Sequence, residues 1–560
     1  LIAERGTLLD QGDIDQMLDL SLPGMDEVMA LFELSRLEAE AAYSHVVVDT
    51  APSGHTWRML ELPDLFARWL AALDRMEEKH RYMVARLARG SLTEDEVEVF
   101  LRELNERVER ARRILYDRDL SSFTLVTVPE GMVVEETSRY FDLLRRYGLP
   151  VTDLIVNRVE RARSRCRHCR GRRRAQQPWL ERIASDFKEL DSHYVPLLAE
   201  EIRGQRQLRR FARLAWGAGE VKDGGKRPPP RPNARFVRPG RRGFDTGRRR
   251  LLIFGGKGGV GKTTAASAAA LALAESDASA RVLVFSTDPA HSLSDSFGET
   301  VGEMKQGVCG RENLDAMEID AVARFERVKR RYLSLVDESF DTLSAGSRWQ
   351  IQFDREAMRE MGSLTPPGID EIAALSAISE LIEKGDYTSI VLDTAPTGHL
   401  IRFLEMPDIA LSWVRAFMKL LIKYRGLARW SDVAEELIAL SKNIKRMAVL
   451  LSDAKQCEFV AVAIPERMSL EETARLTRKL KRLKVPMRRL LINRVVPVEA
   501  AGSCGFCAAR RRAQEPVIKD FRERFEDGLS LFVAPQQPCE IKGRDSLREH
   551  FASWRALEDT

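Results

Sequence analysis

An internal duplication limits the possible folds of this chain more than any other feature of its sequence. Residues 47–55, Val-Val-Asp-Thr-Ala-Pro-Ser-Gly-His, return at 391–399 as Val-Leu-Asp-Thr-Ala-Pro-Thr-Gly-His. Further segments return in the same order: 61–64 at 405–408, 128–130 at 464–466, 155–159 at 491–495, and 201–204 at 540–543. Repeats in a constant order predict two domains of one fold.

The repeats and the composition between them divide the chain into three parts. We predict one domain over residues 1–216, a linker over 217–249 and a second domain over 250–560. At 560 residues the chain also exceeds what one hydrophobic core normally holds. The linker is rich in Pro, Gly and Arg, which is typical of a flexible, semi-extended connection. A basic linker that binds nucleic acid is the alternative hypothesis.

The two halves are unequal at their N-terminal ends. In the second half a long segment with a glycine-rich loop precedes Asp393, and most of the corresponding length is absent before Asp49. Either this segment is missing from the sequence or the first half is genuinely shorter. Because the chain begins with Leu1 rather than Met, we expect a missing segment.

Short apolar runs alternate with longer helical patterns throughout the second half. The runs are continuous rather than alternating, at residues 251–254, 282–285, 390–392, 459–464, 490–492 and 531–533. Continuous apolar strands are typical of a parallel sheet that is covered on both faces. The predicted class is therefore α/β, with two doubly wound, mostly parallel domains.

Each half also contains an apolar helical insertion. Residues 409–452 show this pattern in the second half, and residues 65–115 are their counterpart in the first. One interpretation is a helical insertion packed on its own domain. The other is a subdomain whose apolar face receives a partner or cargo.

A glycine-rich loop follows the first strand of the second half. Its sequence is Gly256-Lys257-Gly258-Gly259-Val260-Gly261-Lys262-Thr263-Thr264, between a strand and a helix expected to start near Lys262, which is the context of a P-loop. Glycines allow backbone N–H groups to surround phosphate oxygens, and the positive helix N-terminus adds to the attraction. We expect Lys262 to contact the β- and γ-phosphates of ATP and Thr263 to bind Mg²⁺.

Two aspartates lie where strands of such a sheet end. Asp288 follows the second strand within Thr287-Asp288-Pro289-Ala290-His291, and Asp393 begins the repeated segment of the second half. Chemistry in a doubly wound sheet takes place at the carboxyl ends of the strands. We expect Asp393 to support Mg²⁺ and Asp288 to orient or deprotonate the attacking water.

Together these motifs resemble the ArsA-type ATPases, which include arsenite-pump ATPases and targeting ATPases for tail-anchored proteins. The resemblance covers nearly all of both halves and implies two P-loop NTPase domains that close on ATP and reopen after hydrolysis. It implies that Lys257 acts across a dimer on the partner's nucleotide and that Asp288 is the catalytic aspartate. Asn493 would read adenine, and Pro535 would lie near the base or near the partner subunit.

The first half departs from this pattern. It keeps Asp49, Asn157 and a cysteine pair but has no P-loop and no Asp-Pro-Ala-His segment. As written, the chain therefore supplies at most one complete site, and catalysis at two paired sites within one chain is in doubt.

Two Cys-x-x-Cys pairs occupy equivalent positions of the repeat. Cys166 and Cys169 in the first half, with Cys504 and Cys507 in the second, would form one tetrahedral zinc site if the halves pack about a pseudo-twofold axis. A redox dithiol and uncommitted thiols are the alternatives. The resemblance also points to zinc, because its targeting branch shares a zinc ion between subunits in this way.

The expected partners follow from charge, hydropathy and the resemblance. Lys and Arg number 89 against 84 for Asp and Glu, giving a net charge of +5 and a mixed surface that does not favour nucleic acid. No apolar run is long enough to span a membrane, and few cysteines fit a cytoplasmic protein. We expect a pseudo-dimer of the two halves or a homodimer, which works with a membrane pump subunit or with a hydrophobic client and its membrane receptor.

Three functions remain open on the sequence. The leading hypothesis is an ATP-hydrolysing, arsenite-transporting ATPase, favoured by the duplication. The second is a targeting factor for tail-anchored proteins, favoured by the cysteine pairs and the helical insertions. The third, of another class, is a regulatory P-loop protein of the partition or division-site type, which would lack both of those features.

Overall fold

A computed structural model describes most of the second half and part of the first. The described residues are 25–40, 42–50, 96–161, 166–217, 240–247, 249–287, 292–318, 369–394 and 431–557, with isolated positions at 330, 401, 403–407, 411 and 415. The chain divides into two compact units. One comprises residues 1–120, 320–383 and 402–449, and the other comprises 121–319, 384–401 and 450–560.

Helices and strands alternate along both halves. In the first half the elements are α1 Met25–Glu40, α2 Glu96–Tyr116, β1 Phe123–Thr127, α3 Gly131–Arg146, β2 Val151–Val159, α4 Arg167–Asp186, β3 Asp191–Pro196 and α5 Gly204–Ala215. The second half begins with β4 Leu251–Gly255, α6 Lys262–Ser276, β5 Val282–Ser286, α7 Ser292–Phe297, β6 Gln306–Gly307, β7 Leu314–Glu318, α8 Ile369–Lys384 and β8 Ser389–Asp393. It continues with α9 Ser431–Ser452, β9 Cys457–Ala463, α10 Arg467–Arg482, β10 Met487–Val495, α11 Val498–Ser503, α12 Gly505–Phe525, β11 Ser530–Pro535, α13 Gly543–Ala552 and β12 Arg555–Ala556.

The second half is built on a nine-stranded sheet in the order β12-β11-β10-β9-β4-β8-β5-β7-β6. All neighbours pair in parallel except the two-residue strands at the edges, β12 and β6, which pair antiparallel. Each of the six apolar runs forms a strand, so the predicted α/β class with mainly parallel sheets is confirmed. Strands β6, β7 and β12 were not predicted, because β6 and β12 have only two residues each and the apolar run of β7 is interrupted by Asp315 and ends at Glu318.

The described part of the first half contributes a smaller sheet, β1-β2-β3, with both pairings parallel. Its strands repeat β9, β10 and β11 in sequence. Residues 46–50, which repeat β8, form no strand, and Val47 is 94% exposed. In the second half β8 takes its hydrogen bonds from β4 and β5, and the described residues of the first half contain no counterpart of either strand.

Local details confirm that the halves are copies. The Asn157 side chain accepts a hydrogen bond from the N–H of Arg158 at 2.8 Å, and Asn493 accepts from Arg494 at the same distance. Both arginines have a positive φ of 58°. The duplication therefore extends from the sequence to the backbone conformation near the ends of β2 and β10.

Large parts of the helical insertions lie outside the described residues. Helices α2 and α9 are described, and the helical pattern predicted for residues 96–115 and 431–452 is confirmed there. The apolar run at 413–422 falls almost entirely on residues that are not described. Among the described residues, no helix has the length and hydropathy needed to span a bilayer.

Phe244 attaches the segment before β4 to the far edge of the large sheet. Its ring contacts Phe532 and Trp554 at centroid distances of 4.8 and 5.1 Å, and the Arg489 guanidinium lies 4.5 Å from its centre. The N–H of Ala556 donates to the carbonyl of Arg242 at 2.8 Å. Aromatic burial and backbone pairing together hold residues 240–247 on β11 and β12.

Acid is expected to destabilise this edge through His550. The imidazole is 1% exposed, packs on Trp554 and has no hydrogen-bond partner among the described residues. Burial lowers the pKa of His550 to about 4 from 6.5. Below pH 6.5 the imidazole is protonated in the unfolded chain, whereas in the folded chain it stays neutral down to about pH 4. The free energy of unfolding should therefore fall by up to about 3 kcal/mol between pH 6.5 and pH 4.

The variant His550→Phe isolates this effect. We expect its free energy of unfolding, measured by urea titration, to fall less between pH 6.5 and 4 than that of the wild type. His193→Phe, which changes a half-buried histidine beside Asp153, serves as the control. Parallel pH curves for His550→Phe and the wild type would contradict the assignment.

Candidate nucleotide site and cysteine cluster

The glycine loop connects β4 to α6 in a conformation that only glycine adopts easily. Gly259 and Gly261 have φ values of +73° and +92°. A Cβ on Gly261 would stand 2.6 Å from the Asn493 amide nitrogen, and one on Gly256 would collide with the carbonyl oxygen of Val462. Gly258 and Gly259 are exposed, while Val260 is buried beneath them. The backbone of the loop is therefore exposed to solvent at Gly258 and Gly259, and the loop is anchored by the buried Val260.

Helix α6 begins at the end of this loop and points its N-terminus at it. The helix runs for 15 residues from Lys262, and both Lys262 and Thr263 are buried. The Lys262 ammonium curls back over the loop and donates to the carbonyl oxygen of Lys257 at 3.4 Å. Thr264 is half-buried on the next position. This gives the loop a fixed cation and a helix N-terminus, the two attractions that bind phosphate.

Asp393 lies fully buried beside the start of α6. Its Oδ2 accepts hydrogen bonds from the Thr263 hydroxyl at 2.8 Å and from the Ser286 hydroxyl at 3.2 Å. The neighbouring Thr394 hydroxyl donates to the carbonyl of Phe254 at 2.8 Å. A threonine hydroxyl at a P-loop held by an aspartate is the arrangement that binds Mg²⁺ in P-loop NTPases. Ser286 was not predicted, although it stands directly before the Thr287-Asp288 segment.

The predicted general base is not described. Asp288 and residues 289–291 lie outside the described residues, as do residues 395–400 after Thr394. The N–H of Thr287 donates to the carbonyl oxygen of Asp393 at 3.2 Å. The two loops that carry the predicted aspartates therefore start side by side, and the role of Asp288 stays a prediction.

Asn493, near the end of β10, is hydrogen-bonded to the glycine loop. Its amide nitrogen donates to the carbonyl of Val260 at 2.9 Å, and the residue is 5% exposed. Pro535 ends β11 next to it, where β10 and β11 pair between Val495 and Pro535. Both residues predicted near adenine thus lie at the carboxyl edge of the sheet. Their contact with a base stays a prediction.

Lys257 extends away from the loop instead of over it. Its ammonium reaches the sulfur of Met468 at 2.6 Å, in the first turn of α10. Met468 is 55% exposed. The role of Lys257 toward a nucleotide stays a prediction.

The four cysteines of the two Cys-x-x-Cys pairs come together in one buried cluster. Their sulfur atoms all lie within 4.8 Å of one another, with 3.5 Å between Cys169 and Cys507 and 3.9 Å between Cys166 and Cys507. Four sulfurs at 2.3 Å from one zinc ion would be about 3.8 Å apart. Cys166, Cys169, Cys504 and Cys507 therefore fit a tetrahedral Zn²⁺ site, half of it from each copy.

Helix starts fix the positions of these thiols. Cys166 is the N-cap of α4, where its sulfur accepts from the N–H of Cys169 at 3.5 Å, and Cys504 is the N-cap of α12. Hydrogen bonds from Cys169 and Cys507 lower the pKa of the Cys504 thiol, and the bond to Cys504 raises the pKa of Cys169. The cluster therefore favours thiolate at Cys504, and thiolate is the form that binds metal.

A family profile and several known proteins match this chain over half of its length or more. A family profile described as anion-transporting ATPase matches residues 3–216 and 249–553. ATPase ARSA1 of Chlamydomonas reinhardtii is 28% identical over 95% of this chain and 71% of its own length. A Halobacterium salinarum protein, named as an arsenical pump-driving ATPase, is 29% identical over 96% of this chain and 80% of its own. ATPase GET3B of Arabidopsis thaliana is 34% identical over 54% of this chain and 77% of its own.

Proposed function

The chain belongs to the anion-transporting ATPase family of the ArsA type, and from this we propose how its residues hydrolyse ATP and what that hydrolysis serves. The activity itself, hydrolysis of ATP to ADP and phosphate, is that of the family. The site is proposed to be the glycine loop of the second half. Its backbone and Lys262 hold the phosphates, Thr263 with Asp393 behind it holds Mg²⁺, and Asp288 activates water.

The observation that carries this proposal is the hydrogen bond from Thr263 to the buried Asp393 beside Lys262. A carboxylate in that position orients the threonine lone pairs toward the phosphate side, where an octahedral Mg²⁺ takes oxygen ligands. Lys262 belongs to the same loop. Its ammonium, the Thr263 hydroxyl and the backbone N–H groups of the loop are therefore all available to one bound nucleotide. Such preorganised charge is the main source of catalysis in phosphoryl transfer.

For the client we propose a metalloid oxyanion that is passed to a membrane pump subunit. Two relatives that cover 95% and 96% of this chain support the proposal, and one of them carries the arsenical pump in its name. We place this activity in the cytoplasm, with the two halves acting as a pseudo-dimer. A second candidate, delivery of hydrophobic tail-anchored proteins, is favoured by the four-cysteine cluster and by the GET3-type relatives.

ATP turnover with arsenite or antimonite titrated in tests the proposal. We expect the anion to stimulate turnover of the wild type and Asp288→Asn to abolish both basal and stimulated turnover, because that variant keeps the side-chain shape but removes the base. Phosphate and sulfate at equal concentration control for anions that do not bind thiols. Turnover that depends on Asp288 but ignores arsenite would favour the second candidate, and capture of a hydrophobic C-terminal helix would then decide it.

A further inference from the structure

Near its end, strand β10 is held by a side chain of α12 as well as by the sheet. Pairing of β10 with β9 ends at Ile492, and pairing with β11 is interrupted between Ile492 and Val495. At this interruption the Gln514 amide nitrogen donates to the carbonyl of Arg494 at 3.2 Å, and its amide oxygen accepts from the N–H of Val496 at 2.9 Å. One glutamine therefore supplies hydrogen bonds to two backbone groups where the ladder is incomplete.

The backbone at Arg494 depends on such support. Its φ of 58° lies in the left-handed region, which is unfavourable for a residue with a side chain. In this conformation the N–H of Arg494 donates to Oδ1 of the preceding Asn493 at 2.8 Å. Gln514 bonds the two backbone groups that follow the turn. It therefore stabilises the turn, and with it the N–H that fixes the Asn493 amide.

The Asn493 amide connects this turn to the glycine loop. Its nitrogen donates to the carbonyl of Val260 at 2.9 Å. A carboxamide has two N–H donors, and its oxygen accepts two hydrogen bonds. Beyond its two bonds to the described residues, Asn493 therefore retains one donor and one acceptor position. Adenine presents a matching pair, an acceptor nitrogen beside its amino group, whereas guanine presents two acceptors at the same edge.

The first half repeats this arrangement without the loop. Gln176 of α4 donates to the carbonyl of Arg158 at 3.1 Å and accepts from the N–H of Glu160 at 2.7 Å. Arg158 in turn donates to the side chain of Asn157. Each glutamine ends the Arg-Arg-Arg-Ala-Gln segment that follows a Cys-x-x-Cys pair. The described part of the first half contains no glycine loop, so the repeat separates an effect on the turn from an effect on the nucleotide site.

We propose that Gln514 is a positioning residue that makes the nucleotide site selective for adenine, acting through Arg494 on the amide of Asn493. The inference rests on the proposed function in taking the glycine loop as the nucleotide site. With Gln514 in place the amide keeps one orientation, in which its remaining donor and acceptor meet the edge of adenine. A fixed polar group of this kind discriminates strongly against a base that cannot pair with it. Without Gln514 the turn relaxes and the amide reorients, so adenine loses its hydrogen bonds while guanine loses little.

The repeat provides a matched pair of variants, Gln514→Met and Gln176→Met. Methionine keeps the length of the side chain and removes both hydrogen bonds, so each variant should have a lower melting temperature. The readout is the Kd of two fluorescent, non-hydrolysable nucleoside triphosphates, one with adenine and one with guanine, measured with magnesium in excess. We expect Gln514→Met to weaken binding of the adenine analogue about three- to tenfold and of the guanine analogue less than about twofold. Gln176→Met should leave both Kd values at those of the wild type.

Asn493→Ala tests the intermediate step. It should remove the preference for adenine, and adding Gln514→Met to it should cause no further change in either Kd. Equal weakening of both analogues by Gln514→Met, or an equal effect of Gln176→Met, would overturn the proposal. An unchanged adenine preference in Gln514→Met, or a wild type without one, would do the same. A wild type that binds neither analogue would instead contradict the proposed function, so the two failures are distinct.

Discussion

Replacing Lys262 with alanine is expected to reduce ATP turnover by about a hundred- to a thousandfold. Lys262 is buried in the glycine loop, and its ammonium lies 3.4 Å from the carbonyl oxygen of Lys257. At the proposed site it would stand where negative charge develops on the transferred phosphoryl group. A charge fixed before the reaction in a site of low dielectric is worth far more than one in water.

The measurement is the steady-state kcat/KM for ATP, with magnesium in excess. Lys305→Ala is the control, since that lysine pairs with Asp386 and lies over the Tyr387 ring on the surface of the same unit. We expect the control to retain wild-type turnover. If Lys262→Ala kept more than about a tenth of the activity, the glycine loop would not be the site of hydrolysis.

The second large effect is expected at the cysteine cluster. Cys507 of the second half touches both Cys166 and Cys169 of the first. Cys507→Ser should remove one bound zinc ion per chain, because a serine hydroxyl does not supply the thiolate that zinc binds at this site. Loss of a structural zinc ion should lower the melting temperature by roughly 10 °C.

Metal content by mass spectrometry and a melting curve check this prediction on the same samples. Cys539→Ser, at an exposed cysteine outside the cluster, is the matched control and should keep both zinc and stability. The zinc site would be refuted if wild-type protein, purified without chelator, contained no zinc and its four cluster thiols reacted freely with a thiol reagent. A disulfide between the halves, reversible by thiol reductant, would support the redox alternative.

Strands and loops of this molecule could be predicted from the sequence where a single local property, such as continuous hydrophobicity or glycine content, determines them. The six buried strands follow from uninterrupted apolar runs, and the loop from Gly256 to Thr263 follows from its glycines and lysine. The cysteine cluster was predictable because the repeat places two ligand pairs at equivalent positions, so that a twofold arrangement brings them together.

Contacts that depend on tertiary packing were not predictable in the same way. Residues 46–50 have the sequence of a buried strand, yet they form no strand and Val47 is exposed. Among the described residues of the first half there is no counterpart of β4 or β5, the two strands that pair with β8 in the second half. Glu201 and Glu540 stand in segments that look like ordinary loop sequence. The backbone N–H groups that donate hydrogen bonds to their carboxylates lie 266 and 409 residues away in the chain, and no local pattern links such positions.

The covalent connection between the halves changes the physics of the shared cysteine site. Four thiolates drawn from two separate subunits would come apart on dilution, because their assembly would be bimolecular. Within one polypeptide the second pair is always present at an effective concentration in the millimolar range or above. Metal affinity and pairing of the halves should then be independent of protein concentration.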